Sequence, residues 1–163
     1  MKALLYMILA AFMLSILVTP LVEVFIAGRD KILLSATVNN SYRTARETSY
    51  SYSNMRNVNA VIDEKGFLRC FAGTFATSYG MECTNPAANP LHFVSHDDTF
   101  NDFTVYVDFS YELAESGADI TVVKVTAESE YKFRTGYMRM ISYGDTHPYL
   151  LSSTNTFTMK VTN

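Results

Sequence analysis

Residues 1–27 read MKALLYMILAAFMLSILVTPLVEVFIA, and this stretch decides the layout of the chain. After Lys2 the run is apolar as far as Ala27, interrupted only by Ser15, Thr19, Pro20 and Glu23. A helix needs roughly 20 apolar residues to cross a hydrocarbon core, so the run is long enough to span one. Arg29, Asp30 and Lys31 follow at once, a charged collar of the kind that stops a helix at lipid headgroups. A cleaved secretory signal is the competing reading. Against it stand an n-region of one lysine, a poor small-x-small site at Phe25, Ile26 and Ala27, and an apolar run longer than the roughly 7–15 residues of a signal core. The stretch reads as a retained anchor.

Outward from the collar, no Gly or Pro occurs between Lys31 and Ser53. Ile32, Leu33, Ala36, Val38 and Tyr42 recur at mixed helical spacing, with Asn39, Asn40, Ser41, Arg43, Arg46 and Glu47 supplying a wet face. The pattern predicts one helix from Ala3 to Thr48, about 70 Å long at 1.5 Å per residue. The Ser- and Tyr-rich stretch from Thr48 to Asn54 ends it or forms a hinge, because such side chains compete for helix hydrogen bonds. Residues 1–53 are therefore one unit, a hydrophobic helix continuing into an amphipathic one. Residues 54–163 form an α+β domain.

That domain opens with a second helix from Met55 to Tyr79, on the three- and four-residue steps of Val58, Val61, Ile62, Leu68, Phe71, Ala72, Phe75 and Tyr79. Ser53 or Asn54 caps its start, Gly66 and Gly73 weaken it, and Gly80 stops it. Residues 84–101, with Pro86 and Pro90, read as a loop. Strict alternation from Phe103 to Leu113 marks a half-buried strand, and residues 115–118 a turn. The next strand alternates from Val123 through Val125, Ala127, Ser129 and Tyr131 to Phe133, with a phase slip at Val122 and Val123 that predicts a bulge. Thr135 and Gly136 turn the chain into Tyr137–Tyr143, still read among the strands, and Phe157, Met159 and Val161 lie on a final strand. The fold class is α+β: a long N-terminal transmembrane or filament-core helix, a second helix, and an antiparallel β-meander whose apolar face the helices cover.

The formal net charge is −3, and Lys2 and Glu23 cancel within the apolar segment, so the ectodomain carries the same −3. No basic run accompanies it, which argues against nucleic acid as a partner. Cys70 and Cys83, the only two cysteines, fit one disulfide in an oxidising compartment, with two free thiols as the alternative. His92, His96, Asp97, Asp98 and Asp102 form the one cluster of metal-ligand chemistry, but their loop composition reads as solvated side chains, and no metal or other cofactor is expected. The chain lacks GxSxG, Walker and HExxH motifs. Nothing in it points to an enzyme.

Glu23 is the sharpest single residue, because a carboxylate in an apolar helix is costly. It either pairs with a neighbouring subunit and sets assembly register, or reaches the membrane interface about one turn from the end of the span. Pro20 kinks or locally loosens the helix by removing a backbone donor.

The stretch from Pro20 through Glu23, Phe25 and Arg29, continuing past Ile32, Leu33 and Leu34 to Tyr42, Arg46 and Glu47, resembles the TadE-like pseudopilins of tight-adherence (Tad/Flp) type IV pilus systems. The closing strand from Leu151 to Lys160 is similar as well, and together the likeness covers roughly a third of the chain. Glu23 stands where the family carries an acid late in its apolar segment, while Leu4–Thr19 has no acid to match the earlier one. The resemblance implies a structural pilin-like subunit of a surface pilus that supports adhesion. Pro20, Glu23 and Arg29 would serve assembly or helix packing. Partners would be sister or other pilin subunits through the N-terminal helix, and membrane lipid before assembly. The expected location is membrane-anchored with residues 54–163 as an extracellular domain, and the cell-surface pilus once assembled. A single-pass anchored binding or pilus-assembly protein is the alternative, and a secreted adhesin or inhibitor lacking residues 1–27 a further one.

Overall fold

The computed structural model describes residues 2–49, 62–96, 99–113, 119–142 and 149–159. The second half of α1 (Lys2–Ser49), α2 (Glu64–Tyr79) and a five-stranded antiparallel sheet share one hydrophobic core. The strands are β1 (Met81–Cys83), β2 (Leu91–Ser95), β3 (Phe103–Leu113), β4 (Asp119–Glu130) and β5 (Leu150–Met159), with a short α3 (Gly136–Ser142) between the last two. Sheet order follows chain order, so this is a meander, and the α+β layout expected from the sequence is present.

Helix α1 runs 48 residues without a break, Pro20 included, and spans about 70 Å. Its two halves live in different surroundings. From Lys2 to Val18 every residue is exposed, in an apolar stretch long enough to cross a membrane. From Glu23 onward a buried stripe runs through Asp30, Leu34, Val38, Tyr42, Ala45 and Ser49, at the seven-, four- and three-residue steps of one helix face. That face is not the one the apolar pattern suggested. Of the predicted positions only Val38 and Tyr42 are buried, whereas Ile32, Leu33 and Ala36 face outward. The true stripe mixes polar members with apolar ones, so hydrophobic periodicity alone misplaces it.

Asp63 caps α2, its carboxylate accepting from the Lys65 amide at 3.2 Å. The expected single helix from Met55 is not continuous, since Ile62 and Asp63 lie outside any helix and α2 starts at Glu64; residues 50–61, with the expected Ser53 or Asn54 cap, lie outside the described residues. Gly66 sits in the first turn rather than at a break. A Cβ there would come within 2.6 Å of the Asp63 carboxylate, so the glycine makes room for the cap. Gly80 stops the helix as expected, at φ 64, with its amide directed at the carbonyls of Ala76 and Thr77. Along the buried face, Phe67, Phe71, Phe75 and Tyr79 stack at four-residue intervals, with centroids 6.3, 5.9 and 5.2 Å apart. Phe75 then meets Phe93 of β2 and Phe103 of β3 at 4.6 and 5.8 Å. On α1, Tyr42 stacks on Phe157 of β5 at 3.7 Å between centroids, with the rings 7° from parallel. These rings weld helices to sheet, and the core draws on both sides of the boundary drawn at residue 53.

Three local readings need correction. The segment 84–101 contains β2, whose alternation of Leu91 and Phe93 was hidden between prolines and polar residues. Asn89 extends the edge by side-chain mimicry, exchanging two hydrogen bonds with the backbone of Val107 at 2.7 and 3.1 Å. No bulge interrupts β4. Its register with β3 is continuous from Asp119 to Ser129, because Thr121 takes the buried phase that Val123, Val125 and Ala127 continue. Finally, the segment after Gly136 is the helix α3 rather than a strand.

Candidate functional site

The buried stripe of α1 begins with two acids, and they define the site. Glu23 is 2% and Asp30 1% exposed. Seven residues is about two turns, so both carboxylates project from one face. A buried carboxylate is costly unless it is paired or hydrogen-bonded, and the partners come from the chain that leaves β4. There β4 ends at Glu130, and the amides of Arg134 and Thr135 beyond it turn to other acceptors. Glu23 Oε1 accepts from the Tyr131 hydroxyl at 3.1 Å and from the Arg134 amide at 2.8 Å. Its Oε2 accepts from the Thr135 amide at 3.1 Å. Asp30 Oδ2 accepts from the Arg134 guanidinium at 3.0 Å, and Oδ1 from Arg29 at 3.4 Å.

Arg134 is therefore held by α1 twice, through its backbone by Glu23 and through its side chain by Asp30. It stands over the Phe100 ring at 5.7 Å, and Arg139 of α3 donates to its carbonyl at 2.9 Å. Burial, reinforced by the Glu23 charge, pushes the Tyr131 hydroxyl well above its ordinary pKa, so it remains a donor at neutral pH. Tyr131 is fixed in turn by the hydrogen bond its backbone amide donates to the Tyr149 carbonyl at 2.7 Å and by an edge contact with the Tyr149 ring. The junction is a clamp: an acid on the helix, donors on the loop, rings behind the donors.

Two hollows flank the clamp. An apolar cleft of about 390 Å³ opens between α1 and the loop, walled by Pro20, Val24, Ala27, Phe133, Met138 and Tyr149. A polar cavity of about 370 Å³ lies beside it, lined by Thr99, Lys132, Phe133, Arg134 and Arg139. Phe133 is common to both.

Of the residues singled out in the sequence, Pro20 borders the apolar cleft and Glu23 anchors the clamp. Arg29 is largely exposed and reaches Asp30. Glu23 does not face outward toward a neighbour; its carboxylate is buried and occupied within its own chain. Cys70 and Cys83 are both free thiols rather than the expected disulfide. Cys70 contacts Thr48 at 3.5 Å, and burial raises the pKa of Cys83. His92 and His96 belong to β2 and its end, where they contact Thr104 and Glu82, and Asp102 accepts from the Ser95 amide. Asp97 and Asp98 lie outside the described residues. Among the described residues no three His, Cys, Asp or Glu side chains gather as a metal site requires. Asp30, Tyr131, Arg134 and Thr135 escaped sequence reasoning. The available signal was the seven-residue spacing of Glu23 and Asp30, which places two acids on one helix face. Comparison with protein-family models, with curated proteins and with solved structures finds no match to this chain.

Proposed function

We propose that the chain is a structural, non-enzymatic, pilin-like subunit of a tight-adherence-type surface pilus that supports adhesion. The observation that carries this reading is the division of α1 into a bare apolar half and a half built into the core of a sheet. Apolar surface left in water costs roughly 25 cal/mol per Å², so residues 3–22 need either lipid or protein around them. In the proposed role they have both in turn: membrane lipid before assembly, and sister helices afterward. The ectodomain then faces outward from the filament. The resemblance of Pro20–Glu47 to TadE-like pseudopilins supports the same role.

A second reading has its own support. Glu23 is occupied inside its own chain and offers no carboxylate to a neighbour, which favours a single-pass anchored binding or pilus-assembly protein. Shearing filaments from the native cell and identifying this chain in the sheared and membrane fractions separates the two. Recovery in filaments with residues 3–27 intact is the expected result. Recovery only in membranes selects the anchored protein, and a mature terminus near Gly28 ends both.

A further inference from the structure

The segment from Tyr131 to Ser142 carries Lys132, Arg134 and Arg139 and no acid, in a protein whose net charge is −3. Exposed Glu130 precedes it, while Glu23 and Asp30, which the segment contacts, are buried and face inward onto their own donors. Lys31 of α1 lines the apolar cleft at its side. Arg134 Nε is buried without a hydrogen-bond partner among the described residues, although the other end of the guanidinium holds Asp30. Buried donors are seldom left unmet, and an anionic oxygen would satisfy this one.

Position along α1 indicates what the anion belongs to. The apolar run ends at Ala27, and Asp30, held by the Arg134 guanidinium, lies only about 5 Å further along the helix. A headgroup layer is roughly 5–8 Å thick on each side of the hydrocarbon. With the apolar run in the hydrocarbon, Arg134 of the cavity falls at headgroup depth, and the cleft reaches back along the run through Val24 and Pro20. Met140 and Tyr149 are exposed alongside, 73% and 55%. Cations set beside exposed apolar and aromatic side chains suit a membrane surface.

We propose that this junction binds an anionic phospholipid of the surrounding bilayer, with an acyl chain in the cleft against Pro20, Val24 and Phe133 and the phosphate in the cavity of Lys132, Arg134 and Arg139. The inference rests on the reading of α1 as a membrane segment. Phe133 walls both hollows, so chain and phosphate would lie against the same residue. Guanidinium groups match phosphate oxygens in geometry as well as charge.

The test uses the full chain in nanodiscs of phosphatidylcholine, alone or mixed with phosphatidylglycerol, and reads amide hydrogen exchange over residues 131–142. Phosphatidylglycerol is expected to slow exchange there by roughly five-fold per engaged cation. The double variant Lys132→Gln, Arg139→Gln should lose that gain while β3 and β4 keep their protection, which shows that it remains folded. Equal exchange in both lipids overturns the proposal. So does protection by inorganic phosphate in phosphatidylcholine alone, which would indicate a plain anion site. Protection that instead grows with the number of chains per disc, without phosphatidylglycerol, overturns it in favour of a second copy in the cleft. A chain that fails to enter either nanodisc defeats the membrane reading itself, whereas entry without lipid preference defeats only the lipid site.

Discussion

Glu23 and Tyr131 lie 108 residues apart in the chain, and the tyrosine hydroxyl donates to the carboxylate at 3.1 Å in a buried setting. With the amides of Arg134 and Thr135 on the same carboxylate, this contact ties the exit of the last long hairpin to the helix where its apolar half ends. A residue that looks like a misplaced charge in an apolar run is the point where the chain leaving β4 is fastened to the helix.

Replacing Glu23 with Gln keeps the shape but turns one oxygen into a donor that faces another donor. The expected loss is about 1–3 kcal/mol, concentrated locally. Hydrogen exchange of residues 131–142 should accelerate while the amides of β3 and β4 remain protected. Unchanged exchange across 131–142 would show that the clamp contributes nothing.

The Asp30–Arg134 pair should respond unequally to removal of its two partners. Asp30 is buried, whereas the Arg134 side chain is 33% exposed. Arg134→Gln strands a buried carboxylate, so it should cost more than Asp30→Asn, about 1–3 kcal/mol after allowance for solvent near the arginine. A double-mutant cycle in denaturant measures the coupling. A coupling indistinguishable from zero would sink the assignment.

Tyr42 and Phe157 join the second half of α1 to β5 by a near-parallel stack. Tyr42→Ala should destabilise the chain by about 3–5 kcal/mol, as large-to-small changes of buried aromatics do. The cycle with Phe157→Ala should return about 0.5–1.5 kcal/mol of coupling. Additive effects would mean that the rings merely fill space.

Alkaline conditions should weaken the fold over a defined window. Burial pushes Tyr79 up to about 12, with the nearby Asp30 charge acting in the same direction. An unfolded tyrosine ionises near 10. Between these values the unfolded chain has released a proton that the folded one retains, so stability is full below about pH 10 and falls as pH rises toward about 12. Tyr79→Phe should flatten that fall by about 2–3 kcal/mol, as read from denaturation midpoints across the window. A wild-type chain whose stability is level from about pH 10 to about 12 would contradict the burial of this hydroxyl.

The sequence made the helix, the meander and the Gly80 stop legible, because each rests on a local pattern: an unbroken helix-forming run, strict alternation, and a glycine after the last aromatic of a ridge. It misread the packed face of α1, since Asp30, Thr37 and Ser41 share that face with Leu34 and Val38 and carry no hydrophobic signal. It missed β2 because five residues between a proline-containing turn and a polar stretch leave too little alternation to see. The clamp was beyond reach for a different reason. Its donors are two backbone amides and a tyrosine more than a hundred positions from Glu23, and they acquire a role only when β4 ends where it does.

Because α1 passes unbroken from its bare half into the core of the sheet, with Glu23 and Asp30 fastened across the joint, the sheet has no swivel. Its azimuth and tilt are those of the rod beneath it. A bend, rotation or lateral push on either end arrives at the other as torque, so whatever grips the first twenty residues also aims the sheet.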